Sequence, residues 1–324
     1  FANGVPPTRR HGERRTTDHR LGQARRKRGG GIVNDSSATD WIERPRAAWL
    51  AIWPIALTAL RLVFRRKLFW LMLGFALLNF LFVFGAIYLL ATLKAQQPEI
   101  GKMLSVMLPD LAGTGKTFLN FMLAQGTVTM ILLAFAGSVL AGNDHRRGGL
   151  TFYLSRRISV LHYAGGKLLA IGLLVSLTTT LPALVLFLEQ GMLGDTAKYF
   201  GENYNIAIGI LGYGLLISVT LGLLLFALVS WMPRPVPLVM SWACLFFFLP
   251  VLSEILSKVF DDRQWRLLNL WRDIYAVGSR CFGEAAVRSR DVAQLSEAAA
   301  VIVAVCLLSF IAIVFRIRQL RHQS

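Results

Sequence analysis

The sequence contains few cysteines and few acidic residues. Its three cysteines, Cys244, Cys281 and Cys306, include no closely spaced pair, so neither a disulfide framework nor a cysteine metal site is predicted. Eighteen Asp and Glu accompany 35 Lys and Arg, and the formal net charge is +17. A basic excess of this size suits either nucleic acid or an anionic membrane surface, so the position of the basic residues has to decide between them.

Ionisable residues are absent from the centre of every long apolar run. Because such residues usually mark ion and proton pathways inside membranes, their absence argues against an ion-coupled carrier and a charged-ring channel. It also removes acids, bases and metal ligands from any intramembrane active site, so we predict no enzyme, no metal and no cofactor bound by this chain. Polar residues such as Gln125, Thr129 and Thr178 do occur there. They either join helices by hydrogen bonds or line a substrate path.

A complete nucleotide-binding loop is missing as well. Residues 113–117 read Gly-Thr-Gly-Lys-Thr, but the full pattern requires a glycine five residues before Gly115, where Asp110 stands. No strand pattern precedes the segment. We therefore predict a glycine-rich turn that leads into an apolar helix, and no ATP site.

Long apolar runs are what the sequence has in abundance. Hydrophobic residues make up 55% of the chain, and the mean hydropathy is +0.53. A hydrocarbon core about 30 Å thick is crossed by roughly 20 apolar residues in a helix, a form that satisfies all of its backbone groups without water. An all-α membrane protein with six transmembrane helices is predicted, with crossings at about residues 68–93, 118–141, 168–188, 206–231, 236–256 and 298–315.

The first 45 residues differ from the rest of the chain. They are polar, rich in Arg and Gly, and without apolar periodicity. This composition predicts a disordered basic cytosolic tail at residues 1–45 and a transmembrane domain at residues 46–324. Aromatic residues do not alternate with the arginines of the tail, so a solvated or lipid-associated tail is favoured over one that binds nucleic acid.

Residues 47–67 precede the first crossing and have two faces. Pro54 interrupts the run, and a crossing would bury Arg61. We therefore predict an N-terminal amphipathic interfacial helix along the cytosolic surface. Its apolar stripe comprises Trp49, Ile52, Trp53, Ala56, Leu60 and Val63. The arginines expected to face lipid headgroups are Arg61, Arg65 and Arg66.

Lys and Arg near the ends of the crossings predict the orientation. Basic residues cluster before the first crossing, between the second and third, and after the sixth, and Arg234 lies between the fourth and fifth. With six crossings these positions share one side, so both termini are predicted to be cytosolic. Residues 257–297 then lie outside, with nearly balanced charges. Their amphipathic stretch is predicted to lie at the outer interface and comprises Trp265, Leu268, Trp271 and Tyr275.

The connection between the second and third crossings, residues 143–167, has the composition of a docking surface. Its arginines offer bidentate pairing to carboxylates of a partner. Phe152 and Tyr153 are apolar side chains of the kind that anchor interfaces. An ordinary basic loop on the cytosolic side would also carry arginines, so the arginines alone do not separate the two interpretations.

Two runs in this connection resemble a known family. Residues 144–156 read Asp-His-Arg-Arg-Gly-Gly-Leu-Thr-Phe-Tyr-Leu-Ser-Arg, and residues 163–169 read Tyr-Ala-Gly-Gly-Lys-Leu-Leu. They are similar to the ABC-2 type permeases, the membrane subunits of ATP-binding-cassette exporters. Arg157 stands where that family often has proline. More loosely, the resemblance covers residues 47–324 and implies an ABC-2 (type V exporter-like) transmembrane domain.

In that family, the connection between the second and third crossings forms a coupling helix that fits a cleft on the ATPase subunit. The resemblance implies the same role for Asp144, Arg146, Arg147, Gly149, Phe152, Tyr153, Ser155, Arg156 and Arg157. At the start of the third crossing it draws attention to Tyr163, Gly166 and Lys167.

The function implied by the resemblance is ATP-driven export across a bacterial cytoplasmic (inner) membrane. The partners would be a separate ABC ATPase subunit that holds ATP and Mg²⁺, a second permease chain and the lipid bilayer, with no nucleic acid. A non-transporting membrane anchor or scaffold that recruits a cytosolic complex is the alternative, and a channel is a weaker one. The substrate stays open, with a slight preference for a hydrophobic or amphipathic molecule, and so does the choice between homodimer and heterodimer.

Overall fold

A computed structural model describes residues 52–108, 111, 113–137, 139–140, 160–232, 234–283 and 295–322. Of these residues 93% are helical and none lies in a strand, which confirms the prediction of an all-α fold. Within the same ranges six helices are long and apolar enough to cross a membrane, as predicted. These spans, numbered first to sixth, are Lys67–Gln96, Gly115–Gly137, His162–Met192, Thr196–Trp231, Pro235–Val259 and Leu295–Arg316.

The spans extend beyond the apolar runs that predicted them. The third begins at His162 rather than at about residue 168, and the fourth at Thr196 rather than at about residue 206. Asp195 caps the fourth span, because its side chain accepts a hydrogen bond from the backbone N–H of Lys198 at 3.5 Å. The apolar pattern reports the part of a helix that suits hydrocarbon, whereas backbone hydrogen bonding continues into the polar ends.

Shorter helices occupy the ends of the bundle. A helix at Ile52–Phe64, called the leading helix below, precedes the first span. The helix Pro98–Met107 follows the first span. A 3₁₀-helix at Arg263–Leu268 and a helix at Leu270–Cys281, called the inserted helix, lie between the fifth and sixth spans.

The second, third and fourth spans form the centre of the bundle. Between 50% and 61% of the residues in their apolar windows are buried, against 22% for the first, fifth and sixth spans. These helices approach one another closely where a small residue of one faces a large residue of another. A Cβ on Gly137 of the second span would lie 2.7 Å from Leu225 of the fourth. Such contacts drive helix association in lipid, where apolar burial alone supplies little.

Prolines inside the third and fifth spans are accommodated by π-helical turns. The turn Ser176–Thr180 precedes Leu181-Pro182, and the turn Cys244–Phe248 precedes Leu249-Pro250. Proline has no N–H and its ring clashes with the carbonyl four residues back. The wider turn shifts the bonding by one residue, so that the N–H of Leu181 reaches the carbonyl of Ser176. Both spans therefore continue past their prolines.

The inserted helix lies in the stretch predicted at the outer interface. Its position relative to the membrane stays a prediction, but its apolar face packs on protein, since Leu270, Ile274 and Ala276 are buried. The ring of Trp271 lies against Gly126 of the second span, and the Tyr275 hydroxyl donates to Asn120 Oδ1 at 3.2 Å. An amphipathic pattern shows that a helix has an apolar face, but it does not show whether lipid or protein covers that face.

The buried carboxyl of Asp273 gives the inserted helix a pH dependence. Asp273 is 2% exposed, and its Oδ2 has no hydrogen-bond partner among the described residues. Burial raises the pKa of Asp273 to about 7, against the opposing effect of the Arg272 guanidinium. Because the folded state holds this proton more tightly than the unfolded state does, the stabilisation is complete below about pH 4 and is lost as the pH rises to about 7.

We therefore expect the thermal midpoint of the purified protein to fall between about pH 5 and pH 7. Replacing Asp273 with asparagine should flatten that fall, because the amide does not titrate. The control is Asp262→Asn, which changes an exposed carboxylate that caps the 3₁₀-helix, a role that asparagine also fills. An unchanged slope in Asp273→Asn would contradict the assignment.

Candidate functional site at the base of the second connection

The residues predicted to contact an ATPase, Asp144 to Arg157, lie outside the described residues. The structure does describe the contacts made by the residues that flank this segment. Leu140 is the last described residue after the second span, which ends at Gly137, and Tyr163, Gly166 and Lys167 lie in the first turns of the third. Together with Ile55 of the leading helix, these residues are called the base of the connection.

The leading helix forms because its apolar residues recur on one side. The buried residues are Ile55, Ala56, Ala59, Leu60 and Val63. The helix ends at Phe64, two residues before the adjoining Arg66, which has extended backbone angles. Arg61, Arg65 and Arg66 are exposed. Trp53 was predicted on the apolar stripe but is 53% exposed, because the buried face is centred on Ala56 and Ala59 instead.

Two glycines let the leading helix approach the third span. A Cβ on Gly166 would lie 2.7 Å from Ile55 Cγ2 and 3.1 Å from the backbone oxygen of Ile52. A Cβ on Gly165 would lie 3.7 Å from Ile52 Cδ1, an ordinary contact. Only glycine therefore fits at position 166 without displacing the leading helix, while position 165 is less restricted.

Lys167 joins the third span to the chain just after the second span. Its Nζ donates to the backbone oxygen of Leu140 at 2.5 Å, and the residue is 4% exposed. The ammonium also lies 5.6 Å from the ring centroid of Tyr163. A hydrogen bond to a backbone carbonyl offsets part of the cost of burying the ammonium.

The contacts at the base form a continuous link. Ile55 packs on Gly166, the next residue Lys167 bonds Leu140, and Leu140 and Val160 are the described residues on either side of the connection. These contacts connect Leu140, the third span and the leading helix. In the described part of the chain no group of three or more His, Cys, Asp or Glu is arranged to hold a metal ion.

Comparison with known proteins does not assign the chain to a family. No protein-family model matches it, and no curated protein matches its sequence. The resemblance to ABC-2 permeases therefore rests on residues 143–169. Of that stretch, the structure brings Tyr163 and Lys167 together and sets Gly166 against the leading helix.

Polar side chains at the centre of the bundle form hydrogen bonds from one span to another. Gln125 Nε2 donates to the backbone oxygen of Ala76 at 2.9 Å, and the hydroxyls of Thr129 and Thr178 lie 2.7 Å apart. Hydrogen bonding between helices, one of the two interpretations from sequence, is thus confirmed for these residues. The three threonines before Leu181-Pro182 could have indicated an irregular helical turn, but nothing in the sequence indicates that Thr178 bonds to Thr129.

Proposed function

We propose that this chain is the permease subunit of an ATP-binding-cassette exporter. Two permease chains, identical or related, would pair in a bacterial cytoplasmic membrane, and two cytosolic ATPases would supply ATP and Mg²⁺. Residues 143–158 would dock on the ATPase. The proposal is supported by the run of residues at 143–169 and by the contacts that surround it.

The observation that carries the proposal is the bond from Lys167 to Leu140. A coupling segment can transmit force only if its two ends are fixed to the bundle. Here the ends are joined by a buried, charge-assisted hydrogen bond, and the leading helix packs on the residue beside it. Closure of the ATPases would then move the second and third spans as one unit.

Alternating access requires two packed states whose balance ATP shifts. The fold offers a division that suits such a change. At least half of the window residues of the three central spans are buried, against 22% in the first, fifth and sixth. In the proposed dimer the exposed faces of the latter three would be covered by lipid or by the second permease chain, while the central spans tilt.

The docking role is tested by recovering the complex from the native host in mild detergent. We expect the tagged wild-type chain to bring down a protein that hydrolyses ATP. The double variant Asp144→Ala/Arg146→Ala should retain about one tenth of it or less, because charge-assisted contacts in an interface are worth several kcal/mol together. The variant should still insert in the membrane and elute as wild type does.

The control is Arg263→Ala, which removes an exposed arginine between the fifth and sixth spans. This variant should keep the full amount of ATPase. A stable complex without any ATPase would overturn the exporter and favour a membrane scaffold. Equal recovery by the double variant and the wild type would overturn the docking role alone.

A further inference from the structure

An apolar groove lies between the first, second and third spans. It encloses about 340 Å³, which is within the range of small-molecule sites in proteins. Leu73, Leu77 and Phe80 form one wall, and Leu181 and Val185 form the other. No charged residue lines it.

One polar atom in the lining has no partner. Gln125 is fully buried, and its Oε1 receives no hydrogen bond from any described residue. The orientation of this amide follows from its surroundings, because the backbone oxygen of Ala76 only accepts and must therefore face Nε2. A buried acceptor without a donor is unfavourable, so the groove is chemically incomplete as it stands.

The π-helical turn of the third span contributes to the same groove. Leu177 and Thr178 belong to the turn and line the groove. The Thr178 hydroxyl is already engaged with Thr129 and with the carbonyl of Leu174 at 3.0 Å. Turns of this kind occur frequently at functional sites. Gln125 is the other polar residue in the lining, and its Oε1 is the acceptor without a partner among the described residues.

The surroundings define the ligand. The groove lies away from the ends of the spans that form it. Leu77 and Leu181, one on each wall, are more than half exposed on the outside of the bundle. A molecule would thus reach it from the hydrocarbon of the bilayer. Charge is excluded because an ion in this apolar setting would be strongly destabilised. An acyl chain alone would fill the volume but could not donate to Oε1.

We propose that this groove binds a neutral amphiphile with one hydroxyl or amide N–H, which donates to Gln125 Oε1 while its apolar body packs between the first and third spans. As cargo for export the ligand rests on the proposed function. Binding of the ligand does not depend on that function, since every residue that lines the groove belongs to this chain.

The test uses the purified chain in phosphatidylcholine nanodiscs without any ATPase. Two photoreactive probes are compared, a long-chain alcohol that carries a diazirine and its methyl ether. We expect the alcohol to label the first and third spans about five-fold more than the ether does, because one hydrogen bond is worth about 1 kcal/mol. Labelled positions are located by mass spectrometry of peptides.

Three variants separate the possible outcomes. Gln125→Met keeps the volume and removes the acceptor, so both probes should label equally. Val185→Trp narrows the groove from its exposed edge without touching the Gln125 bond, so labelling by both probes should fall. Gln97→Met, at an exposed position after the first span, should behave as the wild type does.

Equal labelling by the two probes in the wild type would overturn the proposal, as would a preference that survives in Gln125→Met. If Gln125→Met does not fold, Val185→Trp still decides: undiminished labelling would place the probes outside the groove. The labelling test and the ATPase recovery test are independent. A negative result in either one does not change what the other is expected to show.

Discussion

Replacing Gly166 with leucine is expected to detach the leading helix from the third span. The new side chain would overlap Ile55, and its Cβ alone would come within 3.1 Å of the Ile52 backbone oxygen. Backbone cannot rotate away as a flexible side chain does, so the helix has to move. We expect a loss of about 3 kcal/mol, the upper part of the usual range for overpacking.

Gly172→Leu is the matched control for that experiment. It is the same change on the same span, but no atom lies within 4 Å of the added Cβ. The thermal midpoint should fall in Gly166→Leu and stay near wild type in Gly172→Leu. Amide exchange across Ile52–Phe64 should accelerate only in the former. Equal behaviour of the two variants would show that the leading helix does not depend on this contact.

Replacing Lys167 with methionine is expected to separate the two ends of the connection between the second and third spans while leaving the fold largely intact. The change removes the donor to Leu140, but it also removes the cost of burying an ammonium. Global stability should therefore change by less than about 2 kcal/mol. The ends of the second and third spans are no longer joined, and amide exchange at those ends should rise about ten-fold.

In the complete complex, the proposed function predicts that Lys167→Met lowers ATP-driven transport at least about ten-fold, since movement of the connection would no longer reach both spans. Lys258→Met is the control, because Lys258 pairs with Glu254 on an exposed surface at 3.6 Å, a contact that contributes little. Unchanged exchange at the span ends in Lys167→Met would contradict the joining role.

The six spans were predictable because hydrocarbon imposes a simple rule on sequence. Any helix that crosses it needs a long apolar run, and six such runs are present. The ends of the spans were less predictable. The helices of the third and fourth spans begin at Val160 and Thr196, before the apolar runs that predicted them, because capping and backbone bonding decide the boundary rather than hydropathy.

The leading helix and the inserted helix show the same limit on a smaller scale. For both, the alternation of apolar and polar residues predicted an amphipathic helix. For both, the covering surface is protein in the structure: the third span meets Ile55, and the second span meets Trp271. Such partners depend on which glycines face outward from another helix, and a pattern within one segment carries no information about that.

Composition and run length were enough to predict the all-helical class, the six apolar spans and the polar residues within them, because lipid selects for both. Which of those polar groups are hydrogen-bonded depends on how the helices pack. Thr129 finds Thr178, Lys167 finds Leu140, and Gln125 Oε1 finds no described donor. Hydrogen bonds between spans require two atoms within about 3 Å of each other, and that separation is fixed by helix packing rather than by any one stretch of chain.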